Sequence, residues 1–254
     1  MIPRNIIHRI IFNKPARIIL ILMMAVMAAG TVSVQAADNK KPKTCDNVKL
    51  SGKLKAPKDK TKATRQVVTL NEDCSVNEGP VEEIPASEVP LPADPSLVLP
   101  SVDEGFQATE GAIRSMGTFS RQIVNSSEIK DPVGILLTAL YTNARWDGDF
   151  TRITGYSVGA SVSRHRETGP LGDVGGWNYV RGTNGGGCAL PCARADFSQH
   201  AEFSYRGGFD PTGTLYYNTH DNTEALFGDS RFECSYAISA RKWFPGWTWT
   251  KTCR

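Results

Sequence analysis

Six cysteines, at positions 45, 74, 188, 192, 234 and 253, constrain the folding of this 254-residue chain more than any other feature. An even number of cysteines behind an export signal reads as three disulfides. Local patterning selects one pairing among the many possible. Cys234, Tyr236, Ile238 and Ala240 alternate with other residues, as do Trp247, Trp249, Lys251 and Cys253. An antiparallel hairpin joining Cys234 to Cys253 sets Tyr236 opposite Lys251, Ile238 opposite Trp249 and Ala240 opposite Trp247. Residues 241–246 then form the connection, with a Pro-Gly turn signal. Cys45 and Cys74 close a second, hairpin-like loop between Val48, Leu50, Leu54 and Val67, Thr69, Leu70. Cys188 and Cys192 close a tight loop through Pro191. Their spacing is one residue longer than a C-x-x-C redox motif, and paired zinc knuckles do not occur.

The export signal spans residues 1–36. Arg4, Arg9, Lys14 and Arg17 are basic, no acid precedes Asp38, and residues 18–29 are all apolar. Val34 and Ala36 fit a signal peptidase, which places the cut before Ala37. The alternative is an uncleaved membrane anchor. Against it, a twelve-residue helix covers about 18 Å of a ~30 Å hydrocarbon core. Cleavage yields a secreted, extracellular chain with no membrane attachment. Four of the 29 basic residues and none of the 26 acids leave with the signal, so the remainder has a net charge of −1. Nucleic acid is therefore not an expected partner.

Residues 37–100 read as a disordered stalk, lysine-rich from Lys40 to Arg65, then acidic with Pro80, Pro85, Pro90, Pro92, Pro95 and Pro100. Residues 101–147 read as a helical segment. Ser101 and Glu104 have capping-box spacing, and Phe106, Ile113, Met116, Phe119 and Ile123 recur at helical intervals. Asp131-Pro132 signals a second helix whose apolar body runs over residues 133–141. From residue 148 to 254, short alternating runs joined by Gly-rich connections predict a disulfide-stabilised domain. The expected fold is mainly β: an antiparallel β-sandwich or barrel-like C-terminal domain, preceded by one or two helices and the stalk.

Gly155-Tyr156-Ser157-Val158-Gly159 matches the G-x-S-x-G nucleophile elbow, and His200 or His220 with Asp210 or Asp221 could nominally complete a triad. The context is wrong for it, because the run after Ser157 alternates like a strand. His200 and Glu202 share one strand face, and His220-Asp221 could approach them as a metal site, but H-E-x-x-H is absent. Asp221, Asn222, Glu224 and Asp229 are oxygen donors in a loop-like stretch with no calcium-loop spacing. Neither a metal nor a cofactor is expected.

Aromatic side chains suggest another class of function, since flat rings stack on sugars. Tyr216, Tyr217 and Trp243 are the candidate ligand-binding residues. Trp247 and Trp249 belong to the core side of the hairpin, whereas Trp243 falls in its connecting loop. The expected function is secreted, non-catalytic binding, with cell-surface or extracellular carbohydrate as the partner. The alternative is a secreted hydrolase using Ser157 or a His200/His220 metal site.

Overall fold

Phe232, Cys234, Tyr236, Ile238 and Ala240 are buried, while Glu233, Ser235, Ala237 and Ser239 between them are not. That period-two pattern sets one face of a strand against a core. It recurs through a computed structural model that describes residues 44–89, 118–169, 172–208 and 210–254. Two six-stranded antiparallel sheets result. Sheet A runs, in spatial order, β1 (Cys45–Lys55), β11 (Phe232–Trp243), β10 (Tyr217–Phe227), β9 (Arg194–Arg206), β8 (Gly172–Gly187) and β7 (Arg166–Gly169). Sheet B runs β3 (Val76–Pro85), β2 (Lys62–Leu70), β12 (Thr248–Cys253), β4 (Phe119–Lys130), β5 (Leu136–Gly148) and β6 (Ile153–Arg164). Both sheets feed one apolar core that includes Ile129, Leu140, Trp146, Phe203, Trp243 and Trp249.

The three disulfides join Cys45 to Cys74, Cys188 to Cys192 and Cys234 to Cys253. The hairpin expected around the last pair does not form. After Trp243 the chain turns through Gly246, whose φ is 88°, and β12 enters sheet B between β2 and β4. Cys234 and Cys253 are both fully buried and face the core, so their bond ties one sheet to the other. Alternation marks which side chains point inward. It does not say whether the partner strand lies beside or across the core. Cys45–Cys74 likewise links β1, in sheet A, to the turn after β2, in sheet B.

The expected helices are not seen. Residues 101–117 lie outside the described residues, and Phe119 and Ile123 belong to strand β4. Asp131 opens a hairpin turn: its Oδ1 accepts the Val133 and Ile135 amides at 3.0 and 2.7 Å, and Gly134 has φ 86°. An aspartate accepts amides two or more residues ahead in a turn as readily as at a helix start. The apolar run that follows is β5, from Leu136, and a continuous apolar run suits a buried strand equally well.

The stalk is corrected in part. Residues 45–85 form β1, β2 and β3, followed by a 3-10 turn at Ala86–Glu88. Lysines that suggested a solvated tail alternate on β1 with inward Leu50 and Leu54. Pro80 and Pro85 fall on edge strand β3, where a missing amide hydrogen removes no bond on the open side. Residues 90–100 lie outside the described residues.

Candidate functional site

The middle strands of sheet A carry polar side chains on both faces. Outward on β10 lie Tyr217, Thr219, Asp221 and Thr223. Inward lie Asn218, His220, Asn222 and Glu224, each at most 1 % exposed. Strand β9 pairs with β10 so that His200 stands opposite Asp221 and Glu202 opposite Thr219. β8 contributes Thr183 opposite His200 and, past a bulge, Arg181 opposite Glu202.

On the outer face these side chains hold one another. His200 Nδ1 meets Asp221 Oδ1 at 2.6 Å, and its Nε2 meets Glu202 Oε1 at 3.0 Å. Arg181 donates to the same Glu202 oxygen at 2.8 Å, and the Tyr217 hydroxyl donates to the other. The Arg241 guanidinium lies over the Tyr217 ring, 5.0 Å from its centroid. Partial burial works against a charged His200, but hydrogen bonds to Asp221 and Glu202 outweigh it and raise its pKa. Arg181, opposed by burial and helped by Tyr217 and His200, holds Glu202 down to about 2. Burial, then the Glu202 hydrogen bond, pushes Tyr217 up to about 12. Beside this cluster lies a shallow depression of about 440 Å³ bordered by Thr183, Gly185, Ser198 and Thr223. Gly186 has φ 112°, and a Cβ there would sit 2.2 Å from the Asp196 carbonyl oxygen, so its backbone admits only glycine. From Tyr217 to Thr223 the strip runs about 20 Å along the strands.

The inner face is a polar band between the sheets. Trp249 Nε1 donates to Ser127 Oγ at 2.9 Å, Ser127 Oγ meets His220 Nδ1 at 2.8 Å, and His220 Nε2 meets Thr138 Oγ1 at 3.0 Å. Thr138 donates onward to Asn218 Oδ1 at 3.3 Å. An indole nitrogen can only donate, which frees the Ser127 proton for Nδ1. His220 is therefore neutral with its proton on Nε2. Burial lowers its pKa to about 3. Asn125 donates to Glu224, and Asn222 donates to Asn125, Leu140 and Thr142 at 2.9, 3.2 and 3.2 Å. Burial raises Glu224 to about 7, against hydrogen bonds from Thr142, Gln199 and Asn125. Glu224 Oε2, Asn222 Oδ1 and Gln199 Oε1 have no hydrogen-bond partner among the described residues. A protonated Glu224 supplies a donor among these acceptors.

The residues singled out in the sequence are distributed accordingly. His200 and His220 leave opposite faces of sheet A and cannot share an ion. Among the described residues no group of three or more His, Cys, Asp or Glu side chains is placed to hold a metal. Asp221 points outward while Asn222 and Glu224 point inward, so the stretch is a strand rather than a loop of convergent oxygen donors. Ser157 is exposed on β6, an edge strand of sheet B, opposite Arg145. Both candidate histidines belong to sheet A, and His200 has each ring nitrogen against a carboxylate, which suits an imidazolium rather than a general base.

Trp243 is not the surface residue expected: it is fully buried opposite Cys45. Asn47, at φ 52°, breaks the alternation of β1 between Cys45 and Val48, and β11 slips likewise between Ala240 and Trp243. Tyr216 is half-buried and stacks on Phe244 at 5.4 Å, away from the strip. Tyr217 is in the strip. Arg181 was not anticipated, because a bulge between Tyr179 and Arg181 turns it outward and nothing in the local pattern marks that bulge. Comparison with protein-family models, characterised proteins and solved structures finds no match.

Proposed function

We propose that this chain is an exported, non-catalytic binding protein whose outer strip on sheet A engages carbohydrate. The observation that carries the reading is the cluster of Arg181, Glu202, His200, Asp221 and Tyr217, in which a buried Glu202 fixes an exposed Arg181 and the partly exposed His200 and Tyr217 by hydrogen bonds, with Asp221 holding the other His200 nitrogen. Sugar hydroxyls donate and accept side by side. Carboxylates, a guanidinium and an imidazolium fixed in one plane of approach meet both needs without losing much side-chain freedom on binding. The small residues of the adjacent depression let a flat ring come close, and Tyr217 offers aromatic surface. Three disulfides support an oxidising, extracellular setting.

A glycan-array screen followed by calorimetry tests this, using the oxidised chain, Tyr217→Ala and Glu202→Gln. The wild type should bind at least one glycan class, and each substitution should weaken binding about tenfold or more while leaving the unfolding transition cooperative. Failure to retain any glycan, or variants that bind as tightly as wild type, would overturn the proposal.

A further inference from the structure

The charge on the rest of this face narrows the ligand. Strand β1 forms the far edge of sheet A, and its Lys49, Lys53 and Lys55 point outward, between inward Leu50 and Leu54. Beside them β11 presents only Ser235, Ala237 and Ser239 across its middle. Three strand spacings, about 14 Å, separate β1 from β9, and the cations resume there with His200 and, one strand on, Arg181. Ser235, Ala237 and Ser239 of β11 and Thr219 and Thr223 of β10 thus form low ground between the β1 lysines and the Arg181–His200 cluster. The carboxylates on the strip, Asp221 and Glu202, are already engaged by His200 and Arg181. Lys49 and Lys53 enter no ion pair among the described residues. The unmatched charge on this face is therefore positive. Acid is concentrated elsewhere, as with Glu78, Glu82 and Glu83 on the edge of sheet B. Such segregation in a chain close to neutral steers a polyanion to one face.

Taking the carbohydrate reading as its basis, we infer that the outer face of sheet A selects an acidic polysaccharide, with Lys49 and Lys53 on one side and the exposed guanidinium of Arg181, which keeps donors beyond the one bound to Glu202, on the other reading carboxylate or sulfate groups along the chain. A lipid surface fits less well, because Val180, beside Arg181 on β8, is the one large apolar side chain exposed on β1, β8, β9, β10 or β11 among the described residues, too little for an apolar membrane-inserting face. Duplex nucleic acid would use the lysines but leave the hydroxyl-reading cluster without a role.

Binding of polygalacturonate oligomers and of uncharged glucan oligomers of equal length, measured by calorimetry at low and high salt, tests the inference. Wild type should prefer the acidic oligomer about tenfold at low salt and lose most of that preference at high salt. The double variant Lys49→Gln/Lys53→Gln should weaken the acidic oligomer about fivefold and leave the neutral one unchanged. Tyr217→Ala should weaken both. Lysines that merely guard an exposed strand edge would leave binding unaltered, and that result overturns the inference. Equal affinity for the neutral oligomer overturns the acidic selectivity while sparing the carbohydrate reading. No binding of any glycan overturns both. Binding of phosphatidylglycerol vesicles or duplex DNA as tight as that of polygalacturonate also overturns the selectivity.

Discussion

His200 and His220 occupy neighbouring strands of one sheet, and Glu202 and Glu224 lie on the same two strands. His200 and Glu202 face outward. There, half-buried, the imidazole lies between two carboxylates with its pKa raised, and the glutamate is held down to about 2. His220 and Glu224 face the core. Fully buried among hydroxyls and amides, the histidine is lowered to about 3 and the glutamate raised to about 7. Identical side chains thus favour their charged forms on one face and, between about pH 3 and 7, their neutral forms on the other. What differs is access to water and the presence of a counter-charge. The outer face keeps its charge where the proposed ligand would approach. The inner face uses the same groups as hydrogen-bonding ties between the sheets, His220 neutral and Glu224 increasingly so below about pH 7.

The largest expected effect that distinguishes the two faces is on stability. His220→Ala leaves Ser127 and Thr138 without their imidazole and opens a void, and should cost about 3 kcal/mol by urea unfolding at pH 7. His200→Ala frees Asp221 and Glu202 to rehydrate, and should cost less than about 1 kcal/mol. Equal losses would break the comparison.

The glutamates should respond to pH with opposite sign. Glu224 has a raised pKa, so its contribution to stability is full below 4.5 and is lost as pH rises through about 7. Glu224→Gln should therefore match wild type near pH 5 and exceed it by about 2 kcal/mol near pH 8. Glu202 has a lowered pKa, so its contribution is present above 4.5 and is lost as pH falls toward about 2. Glu202→Gln should be less stable than wild type at pH 7 by under about 1 kcal/mol and converge with it in acid. His220 adds a second acid-side loss, because its pKa is lowered: its contribution is present above 6.5 and fades as pH falls toward about 3.

The sequence carried the outer pair better than the inner one. Two residues of spacing place His200 and Glu202 on one strand face whatever the strand's neighbours are. Asp221 joins them only through the pairing of β9 with β10, a long-range fact. Asn218, His220, Asn222 and Glu224 do alternate, but so do the polar residues between them, and a strand polar on both faces reads as a loop. Cysteine partners were legible because the matching alternation around Cys234 and Cys253 marks two inward faces. The sheets to which those faces belong were not, since period two is the same for a neighbour and for a strand across the core. Val133 to Tyr141 shows the same limit: its apolar run and Asp-Pro opening satisfy a helix start and a strand hairpin alike, and the neighbours β4 and β6 decide for the strand.

The most direct test of a ligand-facing outer strip and a sealed inner band is an NMR titration that follows both imidazoles in one sample. Polygalacturonate oligomers added to the oxidised chain near pH 6 should shift the His200 ring signals progressively, while those of His220 stay fixed in the neutral form protonated on Nε2. His200 signals that do not move at millimolar oligomer, or His220 signals that move with them, would contradict the account.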